Sequence, residues 1–263
     1  MRINQELFFQ QFNKLVFSLF YLRHQGKSIA VLNVDNNVQF KVRVNTSDAL
    51  IIWEVWKAKV YDDKRIPIQE EDVIIDIGAH IGAFAVRAAR MAQHGKVYAY
   101  EASNKNCALL IENRQLNGLE NLYIENSAVS NRSGEMLLYT PANNSILGSL
   151  VQETSSFVET VQATTFSDII AKHTLTQIDF LKIDVEGAEF DILFACSAEI
   201  FAKIRRMVIE YHEFERGGQT HQDLVNLLSS HGFKVVVEKA IFPQPHWFGT
   251  GITKLGIIKA WRE

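Results

Sequence analysis

Three short runs of the sequence carry residue types able to do chemistry. The run Leu181-Lys182-Ile183-Asp184-Val185-Glu186-Gly187-Ala188-Glu189 brings a lysine and three carboxylates together, and Glu210-Tyr211-His212-Glu213 adds a histidine. Asp184, Glu186 and His212 are the candidate catalytic groups. An alcohol oxygen holds its proton tightly, so a carboxylate or neutral imidazole beside it speeds its attack on an electrophile. Lys182 and Asp184 fall on one face if this run is a strand. A buried lysine needs a partner, and its simplest role is to neutralise a nearby carboxylate. Glu189, in the first turn of a following helix, complements the helix dipole. Asp184, Glu186 and His212 could instead hold a divalent ion that lowers an acceptor's pKa. No compact metal-binding spacing accompanies them, so no metal is expected.

The third run is Asp76-Ile77-Gly78-Ala79-His80-Ile81-Gly82. Gly78 permits a sharp turn and close approach of backbone to a ligand, and Gly82 permits tight packing of the next helix. Asp76 can accept hydrogen bonds from a cationic amine, and free helix N–H groups beyond Ala79 and His80 suit a carboxylate. S-adenosylmethionine (SAM) carries both groups and is the expected cofactor. Glu101, with Ala102 behind it, lies one β-α-β step further on, where a carboxylate takes the hydroxyls of a ribose. Asn126-Ser127-Ala128 ends the third strand, and Ser127 and Ala128 are expected beside the adenine. His80 occupies the place of the middle glycine of a dinucleotide fingerprint, and no Walker lysine follows. An NAD(P)-dependent oxidoreductase is therefore disfavoured, as is a catalytically silent scaffold when the acidic residues are intact.

The elements that must position these runs alternate regularly. Strands are expected over 73–77, 97–101, 122–125, 178–184, 207–211, 234–237 and 255–260, with helices between them. Alternation of this kind implies an α/β, Rossmann-like fold: a mostly parallel seven-stranded sheet with helices on both faces. Such sheets bind ligands at the carboxyl ends of their strands. Upstream, 30–34 and 38–44 flank an Asp-Asn-Asn turn and predict a hairpin, and 48–61 predicts a helix capped by Ser47 or Asp48. Residues 1–70 are expected to form an extension, a cap or an assembly surface, and residues 71–263 the catalytic domain. Two irregular segments are expected to line the site: 141–156, through Asn144, Ser145 or Ser149, and 242–251, through His246 and Trp247.

Bulk properties limit the alternatives. The 263 residues are 47% hydrophobic and 22% charged, with a net charge of -3. That balance gives no reason to expect a nucleic-acid partner. Two unpaired cysteines, Cys107 and Cys196, suggest neither a disulfide scaffold nor a zinc knuckle, and point to a reducing, cytoplasmic setting. The apolar run 15–22 is too short to span a bilayer. It belongs to an amphipathic helix over 3–24 suited to packing on its own domain, to a homodimer face or to a membrane surface.

Taken together, the motifs resemble those of the FkbM family of SAM-dependent methyltransferases. Asp76–Gly82, Tyr100-Glu101-Ala102, Asn126–Ser130 with Gly134, Thr164–Ile169, Leu181–Glu189 and Ile209–His212 are similar to successive motifs of that family. His80 stands where asparagine is common and Ala102 where proline is common. The resemblance implies O-methylation, often of sugar or natural-product hydroxyls, without naming the acceptor.

Overall fold

The computed structural model describes residues 26–35, 37–44, 46–141, 156–214, 218–239 and 252–262. The expected helix over 3–24, residues 142–155 and the loop 242–251 lie outside them. The chain opens with a hairpin, β1 (Ile29–Asp35) and β2 (Val38–Arg43), followed by α1 (Asp48–Trp53) and a wider π-helical turn, Glu54–Ala58. The helix stops earlier than the expected Tyr61 because Lys59 adopts a left-handed conformation, φ 55°. Nor is Ser47 a side-chain cap. Asp48 is buried and accepts instead from the Arg43 backbone and guanidinium.

From residue 73 the chain alternates as expected: β3 (Val73–Ile77), α2 (Ala83–Met91), β4 (Lys96–Tyr100), α3 (Asn104–Leu116) and β5 (Leu122–Glu125). After a small excursion come α4 (Phe166–Lys172), β9 (Ile178–Ile183), α5 (Glu189–Phe194), α6 (Ala198–Lys203), β10 (Ile204–Phe214), α7 (His221–Ser230), β11 (Lys234–Lys239) and β12 (Ile252–Trp261). The sheet order is β11-β12-β10-β9-β3-β4-β5. Only β12 runs against its neighbours in this sheet. The order reverses between β3 and β9, so the crevice beyond their carboxyl ends is where a ligand belongs.

Two apolar layers follow from the alternation of side chains along these strands. Ile74, Val97, Leu122 and Phe180 face α2, α3 and the β1–β2 hairpin. Ile75, Ile77, Leu181, Ile183 and Ile209 face α4 to α7. The hairpin is stitched to α3 by polar contacts: Asn117 and Asn113 side chains accept from the Gln39 and Lys41 amides at 3.0 and 2.7 Å.

The excursion is a separate three-stranded sheet that the sequence pattern did not announce. β6 (Ala128–Ser130), β7 (Gly134–Pro141) and β8 (Ser156–Thr165) pair in the order β6-β8-β7. Ser127 and Ala128 therefore lead into this sheet rather than simply ending the third strand.

Candidate active site

The glycine turn after β3 is shaped by protein contacts. Gly78 has φ +81°, and a Cβ there would stand 1.7 Å from the Asp184 carbonyl oxygen. Its missing side chain lets the ends of β3 and β9 touch. Gly82, φ +92°, makes room for Leu110 of α3 in the same way. The Gly78 and Ala79 amides donate to the Tyr100 carbonyl, both at 3.0 Å, so neither is free for a cofactor carboxylate. His80, φ 51°, turns its amide to Glu101 Oε2 at 2.7 Å.

Glu101 is buried just beyond β4 and accepts two further donors, the Ser103 amide at 2.9 Å and Asn106 Nδ2 at 3.3 Å. Burial raises its pKa against the pull of those donors. Ala102 contributes a backbone carbonyl that accepts from Asn126 Nδ2. The Ser127 hydroxyl is spent on backbone, lying 3.1 Å from both the Ala128 and Gln162 carbonyls. Ala128 is buried in β6. The His80 ring, largely buried, is held neutral, its pKa lowered to about 4 by burial.

Lys182 is a hub. Its ammonium is 3.1 Å from Asp76 Oδ1, 3.0 Å from the Gly78 carbonyl and 3.6 Å from Asp184 Oδ2. Burial opposes its charge, but Asp76 and Asp184 outweigh burial and its pKa is raised. The expected neutralising role thus has two carboxylates as its object. Asp76 is fully buried; burial raises its pKa, with Lys182 opposing. Its Oδ2 makes no hydrogen bond, the Ala85 N–H favouring its charge without meeting hydrogen-bond geometry.

Asp184, Glu210 and His212 each place a ligand-capable atom within 4.8 Å of the others. Alternation in β10 puts Glu210 and His212 on one face, and the pairing of Val208 with Lys182 brings that face beside Asp184. His212 is clamped, with Nδ1 2.9 Å from Glu189 Oε1 and Nε2 3.2 Å from Glu186 Oε2. Burial disfavours the imidazolium, yet Glu186 and Glu189 overcome it and raise the pKa of His212 well above its ordinary value. A ring charged at neutral pH has no lone pair to accept a proton, which differs from the neutral base that the residue type suggested. Glu189 is completely buried and also accepts from the Val185 and Gly187 amides, so it braces the turn and the imidazole. Glu186 sits at φ 53°, a costly conformation for a side-chain-bearing residue. Burial pushes its pKa up to about 8.

Two further groups complete the cluster. The Tyr61 hydroxyl, from the N-terminal extension, lies 2.9 Å from Glu210 Oε2 and 3.1 Å from Asp184 Oδ2. Its ring packs edge-on against Phe84, 5.7 Å between centroids. Glu54 is drawn in as well: burial raises its pKa well above the usual carboxylate range, with Glu210, Asp184 and Glu186 adding to the rise. Burial also lifts Glu210, to about 7, helped by Asp184. Tyr61, Glu54 and Glu210 were not singled out from sequence. Glu210 lay within a recognised run, but nothing local marks Glu54 or Tyr61, which meet the site only through folding.

A doubly wound sheet in this order, with a glycine turn after its central strand and an acid at the end of the next, defines the class I fold of SAM-dependent methyltransferases. The chain belongs to the FkbM methyltransferase family, residues 76–235 matching its Methyltransferase FkbM domain. It is similar to the 31-O-demethyl-FK506 methyltransferase FkbM of Streptomyces tacrolimicus, with 26% identity over 241 residues, 80% of this chain and 89% of that one. It is also similar to Methyltransferase 1 of Beauveria bassiana, with 24% identity over 214 residues, 73% of this chain and 83% of that one. Among solved structures, Methyltransferase FkbM from Methylobacillus flagellatus aligns at 15% identity with a TM-score of 0.49, over 74% of this chain and 44% of that one. The protein is thus a SAM-dependent methyltransferase. Among the described residues, no helix is long and apolar enough to cross a membrane.

Proposed function

We propose that the protein methylates a hydroxyl oxygen on a sugar, glycan or natural-product acceptor. The observation that carries this reading is the Tyr61 hydroxyl between Asp184 and Glu210, beside the glycine turn. One hydroxyl carries one proton, so two carboxylates around it cannot both receive it. The pair is poised to hold an extra proton, which is what a base for an alcohol must do. Glu210, with a pKa of about 7, takes the acceptor's proton, and Asp184 orients the acceptor hydroxyl. Glu186 belongs to the same cluster, and His212 Nε2, 3.2 Å from its Oε2, holds it in place. The name of the Streptomyces relative, which specifies an O-demethyl compound, is in keeping with an oxygen acceptor.

The residues fit the cofactor. Asp76 has an oxygen without a hydrogen bond, suited to the α-ammonium or a water joined to it. Glu101 takes one protein donor on Oε2, leaving acceptor capacity there for a ribose hydroxyl. Gly78, Ala79, His80 and Gly82 form the turn beneath the cofactor, while Ala102, Ser127 and Ala128 border the adenine through backbone and small side chains. When bound, SAM supplies an electrophilic methyl group on a sulfonium, and the surplus of carboxylates around Lys182 and His212 favours that positive charge. Residues 26–70 act as a cap, since Tyr61 reaches from them into the acidic cluster.

Asp184, Glu210 and His212 also have the spacing of a cation site, but both ring nitrogens of His212 already face carboxylates. Base catalysis without a metal is therefore the reading put forward. The test is transfer of labelled methyl from SAM to a panel of sugar and macrocyclic alcohols, with and without a chelator. Chelator-insensitive label in an ether linkage is expected. Label recovered on nitrogen or carbon would overturn the O-methyl reading, and loss of transfer on chelation would overturn the metal-free one.

A further inference from the structure

Arg43, the last residue of β2, lies outside the matched methyltransferase segment yet is tied to its cofactor-binding turn. Its Nε and Nη2 grip both oxygens of buried Asp48, at 2.9 and 2.8 Å. Nη2 also donates to Asn106 Oδ1 at 2.9 Å and lies 3.4 Å from His80 Nε2. With two hydrogens on Nη2, Asp48 and Asn106 are its main partners and His80 a shared one. Asn106 is buried, and its other end, Nδ2, points to Glu101 Oε1 at 3.3 Å. An asparagine amide can sit either way round. A guanidinium on its oxygen permits only one orientation, the one that presents N–H to the glutamate; the reverse would set a carbonyl against a carboxylate.

We propose that Arg43 is a positioning residue for the cofactor's ribose, acting through Asn106 to hold Glu101 in the rotamer that accepts the ribose hydroxyls. The inference rests on the placement of the ribose at Glu101. It assigns the N-terminal hairpin a part in cofactor affinity that is separate from Tyr61 in the acidic cluster.

The test compares calorimetric binding of S-adenosylhomocysteine and its 2′-deoxy analogue to wild type, Glu101→Ala and Arg43→Gln. Glu101→Ala should erode the preference for the full ribose. Arg43→Gln should shrink that preference by about three- to tenfold, the scale of one net hydrogen bond, because the deoxy ligand has less to lose. A packing defect would instead weaken both ligands alike. If Arg43→Gln leaves the preference intact while Glu101→Ala erodes it, the role of Arg43 is wrong. If Glu101→Ala leaves it intact, the ribose placement is wrong and the Arg43 inference falls with it. Should Arg43→Gln fail to fold, Asn106→Leu keeps the Arg43–Asp48 pair and carries the same comparison, with the same outcomes deciding.

Discussion

Replacing Lys182 with methionine offers the sharpest test of how the site is held together. The substitution keeps the length of the stem, in a side chain only 4% exposed, and removes the ammonium paired to Asp76 and Asp184. Asp76 would then have no hydrogen bond on Oδ2 and no cation at Oδ1, while the Gly78 carbonyl would lose its donor. Breaking a buried ion pair from one side costs about 3–5 kcal/mol, because an uncompensated charge stays behind. Asp184 is partly exposed and adds little. The pH dependence has a definite sign. Burial already raises the Asp76 pKa, and without Lys182 it climbs further above the unfolded value. A carboxyl shifted up in the folded state works against folding as pH rises past its unfolded pKa. The deficit relative to wild type should be greatest at alkaline pH and shrink as pH approaches the ordinary carboxylate range near about 4. Urea denaturation of both proteins across that interval measures it. A deficit below about 1 kcal/mol at the alkaline end, or one that does not shrink on acidification, would refute the pairing argument.

Three other perturbations follow from the same geometry. Glu210→Gln should lower kcat by about 10²–10⁴-fold, the usual worth of a general base, while leaving SAM affinity measured by calorimetry unchanged. In the wild-type enzyme the rate should fall as pH drops through about 7, where Glu210 gains its proton. Tyr61→Phe removes the hydrogen bond that lowers the Glu210 pKa, so the acid limb of the pH–rate profile should move to higher pH, and an unmoved limb would count against Glu210 as the base. Gly78→Ala drives a Cβ into the Asp184 carbonyl and should destabilise the fold by more than about 2 kcal/mol in urea titrations.

The architecture was legible because buried parallel strands are short apolar runs and their polar ends stand out. Val73–Ile77 followed by Gly78 and Ile178–Ile183 followed by Asp184 needed no tertiary information. The three-stranded sheet was hidden because β6 has three residues and its partner β8 lies far along the chain. The meaning of Gly78 was hidden for a related reason: the atom it avoids is a backbone oxygen more than a hundred residues away. His212 shows how residue type can mislead. A lone histidine at a strand end reads as a neutral base, but here both ring nitrogens face buried acidic side chains that raise its pKa. Tyr61 and Glu54 belong to the site through the packing of the extension on α2, where Trp56 Nε1 donates to the Ala83 carbonyl at 3.0 Å.

The place of β12 has a consequence for the order of assembly. It follows every other described strand in sequence, yet it lies between β10 and β11, pairing with both. As the chain emerges during synthesis, β10 can dock on β9 while its other edge stays bare. An unpaired edge strand invites pairing with other chains, and contacts between distant segments form late. β10 carries Glu210 and His212, so the proposed base and its neighbouring imidazole would be the last parts of the acidic cluster to become rigid. Over that interval, aggregation at the β10 edge would compete with completion of the sheet.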